Sequence, residues 1–274
     1  EYNGLLESPC YQRGKMSCTS CHSMHKSDPD DQLARGMRGN RACLQCHDEM
    51  AGNITAHTHH AADSLGSNCT NCHMPHTSYG LLKAIRGHTI ETPDVATTLE
   101  TGRPNACNLC HLDKTLDWTA GQLAKRTGQV KPTVPEEHRT TAASVLWLLK
   151  GDAGQRALAA WHMGWKPALE ASGSGWQSPL LAELLDDPYS AVRYMAHKAL
   201  TRQPGFDDFE YDFVAGETSR LARREAALAK WTLSTHNTPT HPNTLLLDTD
   251  GQRLTNKVQQ LIETRDKRPM RLRE

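Results

Sequence analysis

The chain has 274 residues, with 31 basic and 31 acidic side chains and a formal charge of zero at pH 7. That balance leaves no general attraction for nucleic acid or for an anionic membrane surface. No apolar run approaches the roughly 18 residues of a membrane span, and the length suits one large domain or two ordinary ones.

The chain starts at Glu1 without a methionine, which reads as a leader removed or as a piece of a longer precursor. Residues 1–17 form a short lead-in that contains Cys10, the ninth cysteine. Cys10 reads as a small buried hydrophobe, a reactive thiol or one half of an intermolecular disulfide.

From residue 18 the pattern Cys-x-x-Cys-His occurs four times: Cys18/Cys21/His22, Cys43/Cys46/His47, Cys69/Cys72/His73 and Cys107/Cys110/His111. Paired cysteine knuckles can bind zinc, and cysteines of exported proteins can form disulfides. Neither chemistry explains a histidine after every second cysteine. Covalent haem does: two thiols spaced by two residues reach two vinyl groups, and the histidine that follows ligates the iron. The four motifs predict four covalently bound haem c groups. Residues 1–111 contain no Phe and no Trp, and only Tyr2, Tyr11 and Tyr79 as aromatics. Such a segment cannot offset its chain entropy with side chains alone, so the porphyrins are expected to supply the apolar mass. The close spacing of the motifs implies haems packed near contact, as electron relay requires.

Six further histidines lie in this half: His25, His57, His59, His60, His76 and His88. Four irons need up to four distal ligands. His25, His88, one or two of the His57–His60 cluster (His57 and His60 above all) and His76 are the candidates. Met74 is a weaker rival beside His73. Bis-histidine ligation would give low-spin, saturated irons suited to electron transfer. An iron left open would instead bind nitrite, hydroxylamine or peroxide.

The run Cys72-His73-Met74-Pro75-His76-Thr77-Ser78-Tyr79-Gly80, then Ile85-Arg86-Gly87-His88, then Gly102-Arg103-Pro104-Asn105-Ala106-Cys107-Asn108-Leu109-Cys110-His111 resembles the doubled-CxxCH multihaem cytochrome family. It is most similar to bacterial members with helical repeats after the haems. The resemblance covers roughly residues 5–125. It implies a tetrahaem electron carrier with His25, His88 and the His57–His60 cluster among its ligands, and allows a ligand from a neighbouring subunit.

A helix is expected over about 116–127, followed by a proline-marked linker through Pro132 and Pro135 that reads as a domain break near 130–136. Beyond it the composition turns to Ala and Leu, with Trp147, Trp161, Trp165, Trp176 and Trp231. Helical periodicity appears in 141–150, 154–165, 179–185, 191–202 and 218–234. The stretch 180–200, with its Asp187-Pro188 turn, Val192-Arg193 and small Ala196 and Ala199, resembles a HEAT repeat, a docking surface or a lid over the haems. His138, His162, His197, His236 and His241 read as surface or packing residues. Asp248-Thr249-Asp250-Gly251 fails as a calcium loop, because its glycine and twelfth residue are wrong. A last helix, about 255–264, precedes a basic tail.

The expected fold is mainly α: a haem-packed domain with little regular structure (1–130), an all-α HEAT-like domain (136–247), then a helix and tail (248–274). The expected function is an exported, periplasmic or extracellular, tetrahaem c-type cytochrome relaying electrons to redox proteins or extracellular acceptors. Head-to-tail assembly into a haem-wire filament is a variant. The alternative is a nitrite- or hydroxylamine-type reductase with one open haem.

Overall fold

The computed structural model describes residues 1–25, 28, 31–79, 82–232 and 239–270. Gly80, the expected end of the 218–234 helix, His236 and the last part of the basic tail lie outside the described residues. The fold is mainly helical, and no described helix is long and apolar enough to cross a membrane.

Two compact units emerge. The first comprises Glu1–His76 and Arg86–Pro93, and the second Thr77–Ile85 and Asp94–Glu274. In the first unit the helices are single turns or little more: α1 (Tyr2–Glu7), α2 (Pro9–Arg13), α3 (Arg41–Leu44), α4 (Ile54–Thr58) and α5 (Cys69–His73). Its composition explains their brevity. Among its described residues Leu5 is the only fully buried apolar side chain, so no amphipathic face has a core to pack against. A two-stranded hairpin, β1 (His76–Tyr79) with β2 (Lys83–Arg86), follows.

The second unit has the core that the first lacks. Its helices are α6 (Val95–Thr101), α7 (Leu116–Thr127), α8 (Glu136–Thr140), α9 (Ala143–Leu149), α10 (Ala153–His162), α11 (Lys166–Ser172), α12 (Ser178–Glu183), α13 (Ser190–Leu200), α14 (Glu217–Thr232) and α15 (Thr255–Glu263). Local signals set their ends. The Thr115 hydroxyl accepts from Trp118 N at 3.1 Å to start α7, and Gly128, at φ 74°, closes it in the left-handed region that glycine tolerates. Asp152 and Gln155 form a reciprocal capping box at α10. Every residue of α9 is buried, as expected of an apolar helix threaded through a core. α10 packs on α9 and α13, and α12 on α13 and α14. Small residues let them approach: a Cβ on Gly164 would lie 2.8 Å from the Ala199 Cα, and Ala196 is fully buried.

The turn at Asp187-Pro188 is the electrostatic centre of this unit. The Arg156 guanidinium donates to both Asp187 carboxylate oxygens, at 2.8 and 3.1 Å, and Arg265 Nη1 donates to one of them at 2.8 Å. Arg193 donates to the carbonyls of Asp187 and Pro188, fixing the turn before α13. Through Arg265, and through Asp266 N to the Lys150 carbonyl, the chain after α15 lies along α9.

The prolines near 132–135 do not divide the two units. Ala143 N bonds the Lys114 carbonyl, Thr115 bridges Ala142, and Ser144 Oγ donates to the Leu112 carbonyl at 2.6 Å. These bonds tie the segment before the prolines to the helices after them, so the fourth pentapeptide belongs with the helical unit.

Candidate haem-binding site

Each Cys-x-x-Cys-His motif is wound into one helical or 3-10 turn. The histidine amide bonds the carbonyl of the first cysteine in three of them: His22 to Cys18 at 2.9 Å, His47 to Cys43 at 3.0 Å and His111 to Cys107 at 2.8 Å. The third motif is α5 itself. Positions i, i+3 and i+4 share one face of such a turn, so both thiols and the imidazole are presented together.

Side chains and backbone bring the first three motifs close to one another. Gln45 Nε2 donates to the Ser20 carbonyl at 3.1 Å and to Cys21 Sγ at 3.8 Å. Asn40 joins the second motif to the third, donating to the Ser67 carbonyl and accepting from Cys69 N, both at 2.8 Å. Burial pushes the Cys43 thiol up to about 12, helped by neighbouring Cys69, Cys21 and Cys10. Burial, then Cys46, also raises Cys21. Thiols held this way are poor metal thiolates. No group of three or more His, Cys, Asp or Glu among the described residues is arranged to hold a metal ion directly.

The imidazoles have the complementary arrangement. His73 Nδ1 donates to the Glu91 carbonyl at 2.8 Å, and His22 Nδ1 to the Gln32 carbonyl at 3.2 Å. A carbonyl can only accept, so Nδ1 carries the proton and Nε2 keeps its lone pair, as metal-ligating histidines require. Opposite His22 stands His88, with ring centroids 6.1 Å apart and planes 29° apart. Opposite His73 stands His57, at 5.9 Å and 17°. Two iron–imidazole bonds of about 2 Å, with about 1.2 Å from each nitrogen to its ring centre, would put the ring centres about 6.4 Å apart. Both centroid separations are close to that spacing. His88 Nδ1 donates to the Arg86 carbonyl at 3.1 Å and to the Glu1 carboxylate. A Cβ on Gly4 would crowd Thr89 at 3.1 Å, so glycine lets α1 lie against this segment.

The other predicted residues are placed differently. His25 is exposed. The His47 side chain is 56% exposed, with Nδ1 3.6 Å from the Glu49 carboxylate. His60 donates through Nδ1 to the Thr58 carbonyl at 2.7 Å, and its ring lies where a Cβ on Gly66 would stand. Burial, and then Arg86, pushes His76 down to about 3, so it stays a neutral imidazole. The rings of His111 and Trp118 lie 5.2 Å apart.

Supporting residues escaped the sequence. Arg86 donates to the carbonyls of Thr70 and Met74, at 3.0 and 3.3 Å, and to Asn71 Oδ1, capping the third motif's turn. Buried His162 donates through Nδ1 to the Leu109 carbonyl, inside the fourth motif, at 2.7 Å. Asn108 of that motif accepts from Thr119 Oγ1 at 2.7 Å and donates to the Lys114 carbonyl at 3.0 Å. The Trp161, Trp165 pair around His162 was the only sequence signal that this histidine is buried.

Residues 11–52 match the doubled CXXCH motif family. The matched span holds the first two pentapeptides and all of α3. Comparison with curated proteins and with solved structures gives no match. The doubled motif is that of multihaem c-type cytochromes, which transfer electrons, and its CXXCH sequences indicate covalently bound haem c. The residues present fit that group: two thiols and an imidazole share one face of each turn, and the first three motifs lie in a unit whose described residues include a single buried apolar side chain.

Proposed function

We propose that this chain is a tetrahaem c-type cytochrome that relays electrons singly. Haem c would be held by Cys18/Cys21, Cys43/Cys46, Cys69/Cys72 and Cys107/Cys110, with His22, His47, His73 and His111 as proximal ligands. Two of the irons would be bis-histidine, His22 with His88 and His57 with His73. The observation that carries this reading is the spacing of those two facing imidazole pairs. Bound haem c supplies reversible one-electron Fe(III)/Fe(II) chemistry. The chain's own part is positional. Glu91, Gln32 and Arg86 carbonyls fix the imidazole tautomers, and the Asn40 and Gln45 bonds hold the first three motifs together. The fourth motif is held by Asn108, Thr119 and His162 in the helical unit. A carrier exported to the periplasm or cell exterior, meeting redox proteins, extracellular acceptors or further copies of itself, is the setting this chemistry suits.

The alternative is a reductase with one open, substrate-accessible haem. Low-temperature electron paramagnetic resonance of the purified protein, with nitrite and hydroxylamine turnover assays, separates the two. The carrier reading expects low-spin signals with near-parallel imidazoles and no turnover. High-spin iron with turnover would favour the reductase.

A further inference from the structure

The two facing imidazole pairs sit in opposite electrostatic surroundings. At the first, His88 Nδ1 donates to the carboxylate of Glu1, a side chain 48% exposed, as well as to the Arg86 carbonyl. An anionic acceptor makes the imidazole a stronger donor to a metal and favours the more positive metal state. At the second, the Arg86 guanidinium is fixed across the third motif by its bonds to the Thr70 and Met74 carbonyls and to Asn71 Oδ1. Arginine keeps its charge at every accessible pH. A fixed cation in a half-buried site favours the less positive metal state. One residue thus serves both sites, its carbonyl at the first and its guanidinium at the second.

We infer that Glu1 and Arg86 set the order of the two potentials, so that the iron at His57/His73 is the easier to reduce and the iron at His22/His88 the harder. The ordering rests on the ligation proposed above. Electrons entering at the His22/His88 iron would then run downhill to the His57/His73 iron. Glu1 and Arg86 act through the ligands and are positioning residues.

The test is a redox titration of the full holoprotein followed by visible absorption and electron paramagnetic resonance. His88→Met and His57→Met each displace one midpoint and so label the two irons. Glu1→Gln should raise the His88-labelled midpoint, making that iron roughly threefold easier to reduce. Arg86→Gln should lower the His57-labelled midpoint by about tenfold in the reduction equilibrium, or ~59 mV for one electron. Arg86→Lys, which keeps the charge without the fork, should leave that midpoint close to its place. If Arg86→Gln does not fold, the labelled order in the unmodified protein and the Glu1→Gln shift decide the matter. Low-spin irons whose midpoints ignore both substitutions, or stand in reverse order, would overturn the ordering alone. Absence of any low-spin bis-histidine signal in the unmodified protein would overturn the ligation and the ordering with it.

Discussion

Replacing Asp187 with alanine strikes the helical unit where its charges are most buried. The Asp187 side chain is 0% exposed, and its partners Arg156 and Arg265 are 1% and 8% exposed. Its carboxylate accepts two hydrogen bonds from Arg156, one from Arg265 and one from Tyr189 N at 3.0 Å. The substitution leaves two guanidinium groups facing each other in a dry site. Breaking a buried pair from one side costs about 3–5 kcal/mol. At roughly 2–4 °C per kcal/mol for a unit of this size, melting should fall by about 6–20 °C. Thermal unfolding of the holoprotein, followed by far-ultraviolet circular dichroism, measures it. Adding Arg265→Met removes one stranded cation, so the double variant should regain part of the loss, with coupling of about 1 kcal/mol or more. A fall under about 2 °C, or strictly additive effects, would refute the reasoning.

Three further outcomes are expected. Gly164→Ala should cost about 1–3 kcal/mol in thermal stability, because the new Cβ meets the Ala199 backbone at 2.8 Å; an unchanged melting temperature would mean that α10 and α13 separate freely. Asp94 caps α6, and although burial opposes it, hydrogen bonds from Thr97 and Ala96 hold its carboxyl below the usual carboxylate range. A depressed folded value means the cap's contribution is full above the unfolded value of about 3.9 and is lost as pH falls through the folded value. Asp94→Ala should therefore cost about 1 kcal/mol at pH 7, with the difference shrinking in acid; a pH-independent difference would argue against the ionic cap. His57→Ala should convert one iron per chain from low to high spin in the resonance spectrum, whereas an unchanged spectrum would remove His57 from the ligand set.

What the sequence made legible was chemistry and helix periodicity. The span 116–127 was readable because Thr115 and Gly128 mark its ends, and the helices at 217–232 and 255–263 because their apolar stripes repeat at helical spacing. The hairpin of residues 76–86 was not readable, since two strands of four residues show no alternation to detect. α6, only seven residues long and capped by Asp94, was not read from the sequence. The prolines at 132 and 135 suggested a domain break because composition changes there, while the bonds that cross it, Ala143 to Lys114 and His162 to Leu109, are long-range and leave no local mark. The same holds for the site. The cysteines and histidines of the pentapeptides are written in the spacing, but which other histidine comes to face them depends on how the chain turns back between His22 and His88. The carbonyls that orient the rings carry no sequence signature at all.

Electron relay by this chain requires covalent haem c on the four pentapeptides. Intact mass spectrometry of the native protein, with a visible spectrum of the same sample, reads that out. The polypeptide mass plus four haem groups, together with an intense Soret band, is the predicted result. The bare polypeptide mass with no Soret absorption would contradict it.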